Sequence, residues 1–258
     1  PIPSFSIPSY NEKQDDVTDH PYTYFSGDPF SQDGLEPKIF VGRWSVDQNT
    51  ELLTLIQKTI QYVTMESVED SSYLNRALVV AGSYKTINDS EEVYPFNWPV
   101  SPVWTSLWLQ DQLDSYGYSA VDTAFYYRGN LTLSNPTIPN KWNAGVGIIN
   151  YRGWGNANGW VKPQFLNTDI EVSIQDNAYM LPVVFSFVCN TGDFGSDLTN
   201  SFGEYITTLG SFNNPIGAVA MIGPSDLDTD TRFNNVMCGA LWDGLLEERT
   251  PELAQALH

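Results

Sequence analysis

Leu181-Pro-Val-Val-Phe-Ser-Phe-Val-Cys-Asn-Thr-Gly-Asp-Phe194 is the stretch that decides the fold. Val183 to Cys189 is a short run rich in β-branched and aromatic residues, closed by an Asn-Thr-Gly-Asp turn. Such a run is apolar on both faces, as strands of a parallel sheet covered by helices are. It delivers Cys189 to its carboxyl end, where open α/β sheets place their reactive groups. A second buried run, Val146 to Tyr151, lies within Asn143-Ala-Gly-Val-Gly-Ile-Ile-Asn-Tyr-Arg-Gly-Trp-Gly155 and stops at Gly153-Trp154-Gly155. A cysteine nucleophile needs a base, usually histidine. The chain has two histidines, His20 and His258, and neither lies in these segments.

Working outward, strand and helix alternate. Arg76 to Gly82 is a buried strand. Val103 to Tyr116 is a helix closed by Gly117, and Val121 to Tyr127 is a strand of mixed character. Phe202 to Leu209 is a short helix, Ile216 to Gly223 a buried strand, Asn234 to Glu247 a helix, and Pro251 onward starts another. Upstream, Lys38 to Trp44 is expected to be a short strand. A helix capped at Asn49 or Thr50 should run to about Tyr62, with Glu51 in its first turn. Residues 1–37, rich in Pro, Ser, Asp and Tyr, are expected to be irregular, and the polar break from Glu66 to Ser72 is the candidate boundary between subdomains. The pattern is that of a mainly parallel sheet covered by helices.

A net charge of −19, from 12 basic and 31 acidic residues, argues against nucleic-acid binding, which needs clustered Lys and Arg. No apolar run is long enough to span a membrane. No charged-then-apolar leader opens the chain, so any export signal is expected to have been removed or to lie upstream. Two cysteines, Cys189 and Cys238, do not make a disulfide scaffold. Asn88-Asp-Ser and Asn130-Leu-Thr fit the glycosylation pattern, a pattern frequent by chance.

Taken in order, several segments resemble the gingipain-type cysteine peptidases, a branch of the caspase-like fold. They are Asp19-His-Pro-Tyr22, Val41-Gly-Arg43, Asn150-Tyr-Arg-Gly-Trp-Gly155, Leu181-Pro-Val-Val, Cys189-Asn-Thr-Gly-Asp-Phe194 and Gly217 to Gly223. The resemblance implies a caspase-like three-layer α/β/α sandwich with a mainly parallel sheet. It implies that residues 1–70 are the terminal part of an amino-terminal subdomain whose earlier strands are absent, and that 71–258 form the nucleophile-bearing subdomain. It places Cys189 at the nucleophile, Gly155 at an oxyanion-hole backbone amide, and Trp154 where the family has its catalytic histidine. An indole N–H only donates and takes no proton from a thiol.

Against this stand plainer readings. Cysteine is often a small buried hydrophobe. Trp154 can plug a former cleft or stack on a ligand. Asp169, Glu171 and Asp193 are near in sequence, but an ordinary carboxylate is a poor base toward a thiol. Asp226, Asp228 and Asp230 alternate as calcium ligands do, yet the loop lacks the EF-hand glycine and glutamate, and its plain reading is a solvated acidic loop. The expected function is therefore a catalytically inactive peptidase homologue, extracellular or at the cell surface. It would bind a protein or peptide in its cleft, or other domains of a longer secreted polypeptide. It would require no cofactor, with structural calcium as an additional reading. The alternative is an active cysteine endopeptidase or transpeptidase using Cys189 with a displaced base.

Overall fold

The computed structural model describes residues 2–9, 15–25, 27–31, 37–83, 100–250 and 252–256. His258 and the Asn88 sequon lie outside them. The centre is a five-stranded sheet of β3 (Arg76–Gly82), β4 (Ala120–Tyr126), β5 (Ile148–Arg152), β9 (Val183–Phe187) and β12 (Ala220–Ile222). Their spatial order is β12-β9-β5-β3-β4, and every pairing is parallel. The chain leaves β3 toward β4 on one side and then crosses to β5 on the other. That reversal opens a crevice at the carboxyl ends, where doubly wound sheets hold ligands.

Side chains alternate across the sheet and force a helical layer onto each face. Ala77, Val79, Phe185 and Phe187 face Leu109 and Leu113 of α2 (Ser101–Tyr116) and Cys238, Leu241 and Trp242 of α6 (Thr231–Leu246). Leu78, Val80, Ile149 and Val184 face the opposite layer. There they meet Trp142 of α3 (Thr137–Asn143), Ile170 of α4 (Asn167–Ser173) and Ile206 of α5 (Phe202–Thr208). Each large side chain so buried stabilises the fold by about 1.5–3 kcal/mol before chain entropy is set against it. The result is the three-layer α/β/α sandwich.

The amino-terminal part joins this body through α1 (Asn49–Thr64). Its cap is Gln48, one residue before the expected one, because the Glu51 carboxylate turns back to accept the N–H groups of Asp47 and Gln48 at 2.7 and 3.1 Å. Lys58 of α1 is fully buried and donates to the carbonyls of Ile206, Thr207 and Ala218, at the end of α5 and the approach to β12. Burial pushes its pKa down to about 7.

Several expectations need correction. Residues Lys38 to Trp44 form no strand. Lys38 and Ile39 donate their N–H groups to the single carbonyl of Thr23, and Arg43 is anchored through its side chain to Asp19, both bonds 2.6 Å. The first 37 residues are not wholly irregular. They hold an antiparallel pair, β1 (Phe5–Pro8) with β2 (Asp15–Thr18), and a 3-10 turn over His20–Thr23. The run Ile216 to Gly223 keeps strand geometry over Ala220–Ile222 alone. At Gly217 the backbone is left-handed, and a side chain there would strike the Ile206 carbonyl. A small antiparallel sheet of β6 (Gly155–Asn156), β7 (Gly159–Val161) and β8 (Gln164–Leu166) was not foreseen, because its strands are too short for any periodicity to show.

That small sheet presses on the end of β3, where a Cβ built on Gly82 would lie 2.0 Å from the Lys162 carbonyl oxygen. Gly82→Ala must push backbone apart and is expected to cost about 2–4 kcal/mol in denaturant unfolding. Gly117→Ala meets open space and only the left-handed backbone at φ +109°, so it should cost about 1 kcal/mol. Equal losses would show that the approach of the small sheet to β3 is not tight.

Candidate active site

Arg152 and Phe187 are partners in the β5–β9 ladder, so the turns beginning at Gly153 and Val188 leave adjacent strand ends. Gly155 is buried against the second turn: a Cβ there would lie 3.0 Å from Val188, the residue before Cys189. The cysteine turn is fixed by its own backbone. Asn190 takes a positive φ of 27° and donates to the Asp226 carbonyl at 2.8 Å, and Gly192 donates to Pro224 at 3.0 Å. Gly192 packs so closely on Gly223 that an added Cβ would stand 2.4 Å from its oxygen.

Beneath this turn lies a chain of buried polar groups. Trp160 of β7 stacks on Tyr151 with ring centroids 4.5 Å apart and donates its indole N–H to Ser186 at 3.0 Å. Ser186 in turn shares a hydrogen bond with Thr191 at 2.9 Å. The Tyr151 hydroxyl lies 2.8 and 2.9 Å from the carbonyls of Trp154 and Lys162 and so holds the small sheet against β5.

On the other face of β5, Arg152 is completely buried. Its guanidinium donates to the carbonyl of Phe187, to the carbonyl of Thr231 at 3.2 Å, and to Asn235 Oδ1, the Nε bond being 3.0 Å. Burial lowers its pKa to about 10, which still leaves it charged at neutral pH. Asn150, two residues earlier on the same face, accepts the Trp242 indole N–H at 2.9 Å.

Cys189 is partly buried, and the Thr229 hydroxyl donates to its sulfur at 3.6 Å. Burial raises the thiol pKa, outweighing the hydrogen bonds that favour the thiolate, and the Asp228 carboxylate pushes in the same direction. Among the described residues, the groups that act on this thiol are Thr229, its own backbone and Asp228, not an imidazole. His20 sits on the 3-10 turn with its ring edge-on to Tyr24 at 5.2 Å. Cys189 and Cys238 are both free thiols, and burial pushes Cys238 up to about 12.

The half-exposed Trp154 ring stands 5.4 Å from the Lys162 ammonium, which also lies 5.5 Å from the Tyr126 ring. The neighbouring carboxylates have other duties. Asp169 accepts the Leu166 N–H at 2.8 Å and caps α4, and Asp193 accepts the Gly195 N–H at 3.0 Å. The loop from Asp226 to Asp230 does run over the cysteine turn. Within it, Asp226 takes the Asp228 N–H at 2.8 Å, and Asp230 caps α6 and pairs with Arg232 at 2.7 Å. Among the described residues no group of three or more His, Cys, Asp or Glu side chains is arranged to hold a metal ion. Sequence reasoning missed Thr229, which carries no local signal. It also missed Arg152, whose signal was the alternation of Asn150 and Arg152 within an otherwise apolar strand.

The model of peptidase family C25 matches residues 2–258. Gingipain R2 of Porphyromonas gingivalis is 26% identical over 211 residues, covering 78% of this chain and 26% of that protein. Lys-gingipain HG66 of the same organism is 27% identical over 219 residues, covering 83% of this chain and 11% of that one. A crystal structure of the Arg-specific cysteine proteinase gingipain R superposes with a TM-score of 0.70 at 22% identity, over 90% of this chain and 49% of that one, and establishes the shared caspase-like fold. The chain thus spans about a quarter or less of these curated relatives and half of the solved one.

The raised thiol pKa has a direct consequence. Because the reactive form is the thiolate, alkylation of Cys189 by iodoacetamide should be slower at pH 7.5 than that of an unperturbed cysteine. Its rate should rise with a midpoint above the ordinary value of about 8.5. Thr229→Val removes a donor to the thiolate and should move the midpoint further up. A midpoint below 7 would overturn this account of the electrostatics (a value typical of activated cysteines, roughly 3.5–7.5).

Proposed function

The chain belongs to peptidase family C25, and we propose that it is a catalytically silent member of it. In this reading the family's scaffold and cysteine turn serve to hold a peptide or protein, or another domain of a longer exported polypeptide, outside the cell or at its surface. The observation that carries the reading is Trp154. By resemblance it occupies the position of the catalytic histidine, and it offers a half-exposed indole with one N–H donor. A nucleophilic cysteine must lose its proton to a base or be poised as a thiolate. Among the described residues Cys189 has neither help: its thiol pKa is raised, and its sulfur accepts from the Thr229 hydroxyl. In the serine triad, removal of members leaves about 10³–10⁴-fold over water, far short of a working peptidase.

The strand ends remain suited to binding. Trp154 presents an apolar face beside the Lys162 ammonium, a pairing that suits a peptide bearing an aromatic ring or a carboxylate. The strong net negative charge supports an exterior location, and by resemblance the chain falls among exported peptidases.

Chromogenic peptide amides with arginine or lysine before the scissile bond, after the Arg-specific and Lys-gingipain relatives, are the natural test substrates. Hydrolysis should not exceed the rate of the Cys189→Ala variant, and a thiol-directed peptide probe should label the wild-type chain no faster than iodoacetamide reactivity alone explains. Turnover that disappears on Cys189→Ala would sink the proposal and favour a displaced base.

A further inference from the structure

The outer face of the α2–α6 helix pair has no role in the cleft. Both helices bury one side against the sheet, yet each also carries a second apolar stripe pointing outward. On α2 it is Trp104, Leu107 and Trp108 at i, i+3, i+4, and on α6 it is Phe233, Val236, Met237 and Ala240 at i, i+3, i+4, i+7, all exposed. Single exposed apolar residues are ordinary on a protein surface. Two aligned stripes on neighbouring helices make one continuous patch, the kind that marks an interaction site. Between the helices runs a shallow, open groove of about 530 Å³, with Thr105 and Trp108 along one side and Val236 and Ala240 along the other. Gly239 opens it further, for a Cβ there would meet nothing within 4 Å.

The electrostatics are one-sided. Asn235 donates to Ser101 at 3.0 Å near the start of both helices, and Trp108 shares the groove with Asp243 further along, so the two helices run parallel. Their carboxyl ends lie together, where the backbone carbonyls add partial negative charge. Asp111 and Asp114 on α2, Asp243 on α6 and Glu247 just past it are exposed at that same end. Residues 101–116 contain no Lys or Arg; the bases of 231–249 are Arg232, at the far end and paired with Asp230, and Arg249, which follows Glu247 and Glu248 and leaves the acids in excess at that end.

We propose that this face docks an amphipathic helix of a partner protein, whose apolar stripe fills the groove and whose lysines or arginines meet the acidic end. Helix-in-groove recognition uses i, i+3, i+4, i+7 anchors of this kind, and complementary charge fixes the direction of docking. A second copy of this chain is a poor occupant, because it would bring another net charge of −19 against the same acidic end. An anionic membrane surface is repelled for the same reason.

The test uses a fluorescently labelled 16-residue helical peptide of leucine and lysine, with leucine at the anchor positions, read by fluorescence anisotropy. A control peptide carries glutamate in place of lysine. The lysine peptide should bind and the glutamate peptide should not. Val236→Asp makes the face more acidic yet removes an apolar anchor, so it should weaken binding about tenfold or more, as loss of an interface hot spot does. Asp111→Asn with Asp114→Asn should weaken binding most at low salt. Val236 is exposed, so an unchanged melting temperature is expected and separates loss of docking from loss of fold. Binding unaltered or strengthened by Val236→Asp would overturn the proposal, as would equal binding of the glutamate peptide or no binding of either. So would a dimer in sedimentation that Val236→Asp disperses.

Discussion

The guanidinium of Arg152 is the fixed point around which the rest of the molecule is arranged. It lies wholly inside and, among the described residues, is held by two backbone carbonyls and the side-chain oxygen of Asn235 rather than by a carboxylate. A buried cation is tolerated only when its donors are satisfied. Here the satisfaction comes from three points on two elements: the end of β9, and the first residue and next turn of α6. The requirement therefore fixes where β9 stops and where α6 begins. Removing one side of such a buried charged network costs on the order of 3–5 kcal/mol, comparable with a large part of a domain's net stability.

The opposite face of β5 is organised by different means toward the same end. Tyr151 points away from Arg152 and carries the stacked Trp160, whose indole reaches Ser186 and through it Thr191. Both faces thus converge on the residues just before and after Cys189. The turn that presents the sulfur is held from below by hydroxyls and from the side by Gly192 against Gly223. This rigidity positions the thiol while holding its pKa up. The same close packing that fixes the turn removes water from the sulfur, and desolvation disfavours the thiolate. In an enzyme of this architecture a neighbouring base would offset that cost. At the strand end beside it this chain places the half-exposed Trp154.

How much of this was legible in the sequence depended on how each element is specified. The central strands and the long helices announced themselves, because β3 is a continuous apolar run buried on both faces, α2 and α6 are long enough for their apolar residues to recur, and Gly117 closes α2 as its left-handed backbone demands. That Trp154 and Gly155 follow one central strand and Cys189 the next was legible too, because each apolar run ends at a turn marked by Gly153 and Gly155 or by Asn190-Thr-Gly192. The small sheet after Gly155 was not: its strands are two or three residues long, and its fold is imposed by Tyr151, Trp160 and Gly82 rather than by any local pattern. Lys38 to Trp44 misled for the converse reason. It has the composition of a strand, but Arg43 is committed to Asp19, and no described strand pairs with the segment. Thr229 could not be picked out, since only the path of the loop over the cysteine turn gives its hydroxyl a meaning.

Asn235 connects the two halves of this picture. Its side-chain oxygen accepts from Arg152 while its amide donates to Ser101, the first residue of α2. The contact that seats α6 on β5 and β9 is therefore the same one that aligns α6 with α2 and so shapes the groove on their outer face. Rigid helices joined by a buried polar contact move as a unit or not at all, because any slide strands the guanidinium donors without acceptors. A ligand that wedged α2 and α6 apart would have to break this contact. One that lies along both leaves it intact, and that favours a helix seated in the existing groove over an insertion that widens it.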